Sequence, residues 1–170
     1  MAPLTPYFSF MAVTSRSPSP DPPAVLIGSA TRQDVPAVHA LLVAAKLPLD
    51  GLDNHVAGML VARDRGTVIG SATVEVYGRG ALLRSVVVAP ARQGERLGQR
   101  LTDAALELAR ARGVERVYLL TETASPFFAR LGFRKIDRSD VDPAVTRWKE
   151  FRGVCPETAT VMLLEGAPVS

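Results

Sequence analysis

"SVVVAPARQGERLGQRL", residues 85–101, is the stretch whose reading decides the fold. Three consecutive valines signal a buried strand, Pro90 ends it, a turn rich in Gly, Gln and Arg follows, and Leu97 and Leu101 open a helical period. A loop that leaves the C-terminal end of a strand and opens a helix presents unpaired N–H groups and the positive end of the helix dipole. Together these stabilise an anion. Glycine lets backbone approach a phosphate closely, and Gly94 and Gly98 meet that need in part. The same residues also suit a plain strand-to-helix turn with Gly94 in an unusual dihedral, so the loop alone leaves both readings open.

Working outward, "ALLRSVVVA" (81–89) is the most apolar run and predicts a central strand. "GMLVARD" (58–64) and "TVIGSATVEVY" (67–77) flank an Arg-Gly turn and predict an antiparallel hairpin that the "GRG" turn joins to it. Upstream, "AVLIGSA" (24–30) reads as a strand. Thr31 and Asp34 resemble a capping box, and Val35, Val38, Leu41, Leu42 and Ala45 have helical spacing. Residues 47–54 read as a loop or a broken helix. Downstream, Leu97, Leu101, Ala104, Ala105, Leu108 and Ala111 mark one face of a helix that Gly113 stops. "ERVYLL" (115–120) predicts a strand laid parallel to 81–89 by a right-handed crossover. "ASPFFARLGF" (124–133) predicts a short helix, residues 134–157 are mixed and polar with a helix near 143–151, and "TATVMLL" (158–164) is a last strand. The expected order is β-α-(α)-β-β-β-α-β-α-β-β, an α/β fold with a mixed sheet.

Composition bounds the function. At 170 residues the chain is read as one domain, 24–170, behind a Pro/Ser-rich tail, 1–23, too poor in buriable surface to fold. Met11 offers a second start within that tail. Twenty Lys and Arg against 17 Asp and Glu give +3. Only Lys46, Lys135 and Lys149 are lysine, so 20 less 3 leaves 17 arginines. That balance is too mild for nucleic acid and suits one local anionic ligand. A single cysteine, Cys155, excludes an internal disulfide and a multi-cysteine metal site, which makes reducing cytoplasm the expected compartment. No run approaches the length of a membrane span.

The loop together with "ASPFFARLGF", about 30 residues on, resembles the GNAT superfamily of N-acetyltransferases over roughly residues 24–165. The resemblance implies an acetyl-CoA loop of the form Gln/Arg-x-x-Gly-x-Gly/Ala, falling here on Gln93, Gly94, Glu95, Arg96, Leu97 and Gly98, with Arg96 where the family has glycine. Backbone donors survive that change and a guanidinium can itself pair with phosphate, but a position needing positive φ would strain it. It further implies a sheet of about seven strands splayed at the cofactor site, flanked by helices, with the backbone of Val86, Val87 and Val88 bonding the pantetheine arm. The motif's Asn falls on Thr121, and the frequent tyrosine acid falls on Phe128, which has no proton to give. The segments "GLDNH", "VEVYGRGALLRSVVVAP", "VYLLTETASPFFARLGF" and "VDPAVTRWKEFRGVCPETATVM" are similar to a bacterial branch of arsenic-resistance N-acetyltransferases, related to amino-acid acetyltransferases of the N-acetylglutamate synthase type. The resemblance implies acetyl-CoA as co-substrate, no metal and a small-molecule amine acceptor; the mild charge and the lack of a long apolar run argue against nucleic acid and membrane as partners, and the assembly is left open between a monomer and a homodimer.

Acetyl transfer needs a neutral amine, hence a base. Thr73, Glu75 and Tyr77 alternate onto one face of a strand, making Glu75 the carboxylate to favour over Glu122, with a solvated or cross-strand-paired glutamate as the alternative. Arg84 interrupts an apolar run, where a charge is costly unless paired, so it is read as holding a substrate carboxylate, as bridging to Glu75, or both. His39 reads as a packing or surface residue, His55 as a neighbour of the acceptor loop, Cys155 as a small hydrophobe, and Trp148 with Phe151 as core anchors or, given the polarity of their segment, as acceptor-pocket residues. A non-catalytic acyl-CoA sensor on the same fold is the competing function, suggested by Phe128 and Arg96.

Overall fold

A computed structural model of the chain describes residues 24–147 and 157–166; the tail 1–23, Trp148, Phe151 and Cys155 lie outside the described residues. The elements are β1 (Leu26–Ser29), α1 (Val35–Ala44), β2 (Met59–Asp64), β3 (Thr67–Tyr77), β4 (Gly80–Val88), α2 (Leu97–Ala111), β5 (Arg116–Thr121), α3 (Ser125–Arg130), β6 (Arg134–Ile136), α4 (Pro143–Thr146) and β7 (Thr160–Glu165), with a 3-10 segment over Leu52–Gly58 between α1 and β2. The sheet has seven strands in the order β1-β2-β3-β4-β5-β7-β6. All neighbours are antiparallel except β4 and β5, which are parallel as the crossover predicts. Sequence reading assigned no position to β6, whose three residues are too few to show alternation. The helix expected over 143–151 is described only as Pro143–Thr146.

Local chemistry explains the boundaries. The Thr31 amide donates to the Asp34 carboxylate at 2.7 Å, and Arg63 Nη2 reaches the same carboxylate at 2.6 Å, tying the entry of α1 to β2. Burial pushes the Asp34 carboxyl up. The Thr31 hydrogen bonds and the Arg63 charge outweigh it and hold the group below the usual carboxylate range. Arg65 and Gly66 both have positive φ, the signature of a primed two-residue hairpin turn between β2 and β3.

The two faces of the sheet differ in what covers them. Leu97, Leu101 and Ala105 of α2 pack with Ala72 and Val74 of β3 and Ala81 and Leu83 of β4. Side chains alternate, so Thr73, Glu75 and Tyr77 of β3 and Leu82 and Arg84 of β4 project from the opposite face. There Leu82, Tyr118, Val141 and Val145 form one small cluster, and Val38 and Leu42 of α1 form another with Leu52, Val61 and Val87. Between those clusters the face stays polar.

Two irregularities open the sheet at its centre. The β4–β5 ladder is three pairs long, from Gly80–Arg116 to Leu82–Tyr118. Past Leu82 the main chain of β4 therefore faces a gap on that side. In β4, Ser85 has φ 56° and the pairing with β3 jumps from Thr73–Arg84 to Ser71–Val87. Two residues, Ser85 and Val86, thus stand opposite Ala72: a β-bulge, held by the Ser71 hydroxyl donating to the Ser85 carbonyl at 2.9 Å. The bulge shifts the side-chain phase, so that Arg84 and Val87 share one face while Leu83, Val86 and Val88 pack on the other.

Candidate active site

A cleft of about 790 Å³ runs along the end of β4, the N-terminus of α2 and the side of α3. Val86, Val87, Val88, Gln93, Gly94, Arg96, Leu97 and Gly98, all of them cofactor-binding candidates of the sequence, line it. Gly94 has φ 87°, and Arg96, the residue capping α2, sits in the left-handed region at φ 60°, ψ 19°. The glycine-favouring conformation is thus kept at position 96 although the residue is arginine. The main chain thus turns left-handed twice within three residues, beside the first turn of α2. Such a turn at a helix N-terminus is the kind of backbone that can form an anion cradle. A Cβ at Gly98 would stand 3.4 Å from the Phe127 ring of α3, at ordinary contact distance.

Two predicted cofactor residues lie off this cleft. The Glu95 carboxylate turns back onto Arg92 Nε at 2.8 Å, while Arg92 Nη1 reaches Asp64 at 2.5 Å. Both carboxylates push the Arg92 guanidinium above its ordinary value, the Glu95 hydrogen bond most. The Thr121 hydroxyl accepts the Ala124 amide at 2.9 Å and so closes the turn into α3. Phe128 is buried edge-on against Phe127 and Phe133.

On the opposite face of the sheet a second cleft, of about 590 Å³, is lined by Glu75, Tyr77 and Arg84 together with Asp50, Asn54, His55 and Arg147. The structure brings Glu75 and Arg84 together: Arg84 Nη1 donates to Glu75 Oε1 at 2.9 Å, with both residues over 90% buried. The Tyr77 hydroxyl donates to Glu75 Oε2 at 2.9 Å, and His55 Nε2 stands 3.5 Å from Glu75 Oε1. Glu122 is exposed and outside both clefts. His39, on α1, pairs with Asp53 at 2.9 Å and steadies the 3-10 segment that carries His55. Sequence reasoning placed His55 near this site but did not single out Asp50, Asn54 or Arg147. Their elements, a loop, a 3-10 turn and a one-turn helix, carry no periodicity to reveal which way they point.

Residues 55–135 match the acetyltransferase (GNAT) domain family. The fold is the GNAT acetyltransferase fold. Its seven-stranded, open sheet and splayed β4–β5 pair are the fold of that family's N-acetyltransferases. Among solved structures, the domain superposes on N-acetylglutamate synthase from Neisseria gonorrhoeae complexed with coenzyme A and N-acetyl-glutamate, with TM-score 0.75 and 21% identity over 85% of this chain. The chain spans only 36% of that enzyme's length. Rv2747 from Mycobacterium tuberculosis, in complex with CoA and a second ligand, is 28% identical over 84% of this chain and 99% of its own, with TM-score 0.71. The PaiA N-acetyltransferase from Thermoplasma acidophilum, in complex with coenzyme A, has TM-score 0.62 at 14% identity over 84% of this chain and 99% of its own. No curated protein matches the chain. Among the described residues no helix is long and apolar enough to cross a membrane.

Proposed function

We propose that the protein transfers the acetyl group of acetyl-CoA directly to the amine of an amino acid or amino-acid analogue. The observation that carries this reading is the buried Glu75–Arg84 pair at the floor of a cleft on the face opposite the anion cradle, beside the gap where β4 leaves β5. Acetyl-CoA fits the first cleft: backbone N–H groups at 94–98 meet the pyrophosphate, and the main chain of β4 past Leu82 takes the pantetheine arm by strand addition. In the second cleft Arg84 takes the substrate carboxylate and Glu75 accepts a proton from its ammonium. The freed lone pair then bonds to the acetyl carbon and the carbon–sulfur bond breaks. No acyl-enzyme is needed, and the CoA thiolate, a weak base, takes its proton from water, which accommodates phenylalanine at 128. The likeness to the arsenic-resistance branch supports a narrower reading in which the acceptor is an arsenic-bearing analogue, acting in the cytoplasm.

A coupled CoA-release screen over amino acids and their phosphono- and arsono-analogues tests the reading, with site variants run on the best acceptor. Arg84→Ala should raise its KM by roughly 10- to 150-fold, the effect of one charge-assisted contact, with acetyl-CoA affinity retained as the check on folding. Arg84→Lys should rescue only part, because the planar fork is lost. Glu75→Gln should lower kcat by ~10²–10⁴ and recover as rising pH supplies free amine. If neither Arg84→Ala nor Glu75→Gln changes kcat/KM, the two form a structural ion pair and the reading fails.

A further inference from the structure

We propose that His55 is the proton exit of this site, carrying the amine's proton from Glu75 to solvent. The inference rests on the reading of Glu75 as base. Glu75 has only 4% of its side chain exposed, so a proton it accepts has no direct way to bulk water. Among the described residues its oxygens meet three side chains: Arg84, the Tyr77 hydroxyl and His55. Arginine stays protonated and cannot accept, and a phenol that already donates to the carboxylate is a poor acceptor at neutral pH. The imidazole is left. Its Nε2 stands 3.5 Å from Glu75 Oε1, and 31% of its side chain is exposed, so it bridges the buried carboxylate and the solvent. Histidine is also the side chain whose ordinary ionisation falls near neutrality, as a carrier that must both load and unload requires.

The balance supports the need for such a group. An ammonium and a thioester give an amide, a thiol and one surplus proton. The first proton passes from the substrate nitrogen to Glu75 Oε1, then to the lone pair on His55 Nε2, while His55 Nδ1 releases its own proton to water. The nitrogen–carbon bond forms as the carbon–sulfur bond breaks, and the water that protonates the departing sulfur takes up the second N–H proton in exchange. One proton per turnover must therefore leave the cleft. Among the described residues, the charged and titratable groups around His55 are Glu75 and Tyr77 from β3, Arg84 from β4, Asp50 from the preceding loop, Arg147 from the end of α4, and Asp53 on its own segment. Asp53 is taken by His39, which holds the segment in place without drawing His55 away from Glu75.

His55→Gln keeps an amide group near the Nε2 position and removes the proton carrier. With the best acceptor from the CoA-release screen, kcat at neutral pH should fall roughly 100-fold, the lower end of the ~10²–10⁴ that one proton-transfer group contributes, with acceptor KM and acetyl-CoA affinity changed little. Added imidazole should restore rate in His55→Gln in a concentration-dependent way and leave Glu75→Gln unmoved, a response that a purely structural histidine would not give. An unchanged kcat, or a loss confined to KM, overturns the proton exit while Glu75 stands as base. A drop in kcat that imidazole cannot rescue also overturns it. If Glu75→Gln itself keeps full kcat, the reading of the base fails first and the exit falls with it.

Discussion

Arg96→Gly separates two roles that one residue can play at the head of α2. Arg96 is held at φ 60°, ψ 19°, a conformation that costs an L-residue about 1–2 kcal/mol. Glycine removes that strain and returns about 0.5–1 kcal/mol through the freedom it adds to the unfolded chain. Arg96 is exposed, so no packing is lost. The net expectation is a gain of about 0.5–1 kcal/mol, which for a chain of this size raises Tm by roughly 1–4 °C. Binding answers the other half. If the cradle is backbone alone, the Kd for acetyl-CoA in calorimetry should stay within about threefold, since the N–H groups that meet the phosphates are unchanged. If the guanidinium pairs with a phosphate, removing that charge-assisted contact should weaken binding by about 10- to 150-fold. Thermal melts without ligand and titrations with acetyl-CoA read the two terms separately. A fall in Tm would refute the strain argument, and a tenfold or greater loss of affinity would refute the backbone cradle.

Arg92 keeps the Glu95 carboxylate out of the anion cradle, so Arg92→Gln should release a like charge toward the pyrophosphate and weaken acetyl-CoA about fivefold, the ~1 kcal/mol of one such charge at close range in water. Adding Glu95→Gln to that variant should recover most of the loss, and equal affinities for the single and double variants would sink the argument. Asp34 has a depressed ionisation, so its contribution to stability is present above the usual carboxylate value and is lost as pH falls below about 4. Asp34→Asn should therefore lower stability by about 1 kcal/mol at neutral pH in a denaturant titration, with the gap to wild type closing in acid. A gap that persists undiminished at low pH would show that charge plays no part.

Much of the fold was legible because its elements are long and periodic. The 15 residues of α2 repeat leucine and alanine at helical spacing, and β3 alternates polar and apolar residues from Ser71 to Val76. The strand-to-helix loop was legible from its punctuation, and the Glu75–Arg84 pairing from two polar residues set into apolar strands. What lay hidden was everything that depends on tertiary placement. The three residues of β6 have no pattern of their own, and its pairing with β7 makes them a strand. Thr121 falls on a motif position, yet its hydroxyl is spent on the Ala124 amide, a contact that no alignment of residue types reveals.

The bulge at Ser85 shows why the two clefts could not be drawn from alternation alone. Counting every second residue along "ALLRSVVVA" puts Leu82, Arg84 and Val86 on one face, with Leu83 and Val87 on the other. The structure keeps Leu82 with Arg84 but then turns Val87 to their side and Val86 to the side of α2. One extra residue does this, and the cue is a serine held at positive φ by a hydroxyl from Ser71, fourteen residues upstream. Without the bulge, a strand bordering the gap would present its side chains in one unbroken alternation. With it, the phase changes at the point where the ladder to β5 has ended. Arg84 faces the polar cleft on one side, and within two residues Val86 and Val88 face the anion cradle on the other. On the proposed function the acceptor and the acyl donor approach from opposite faces of the sheet, and this phase change would let a single strand serve both.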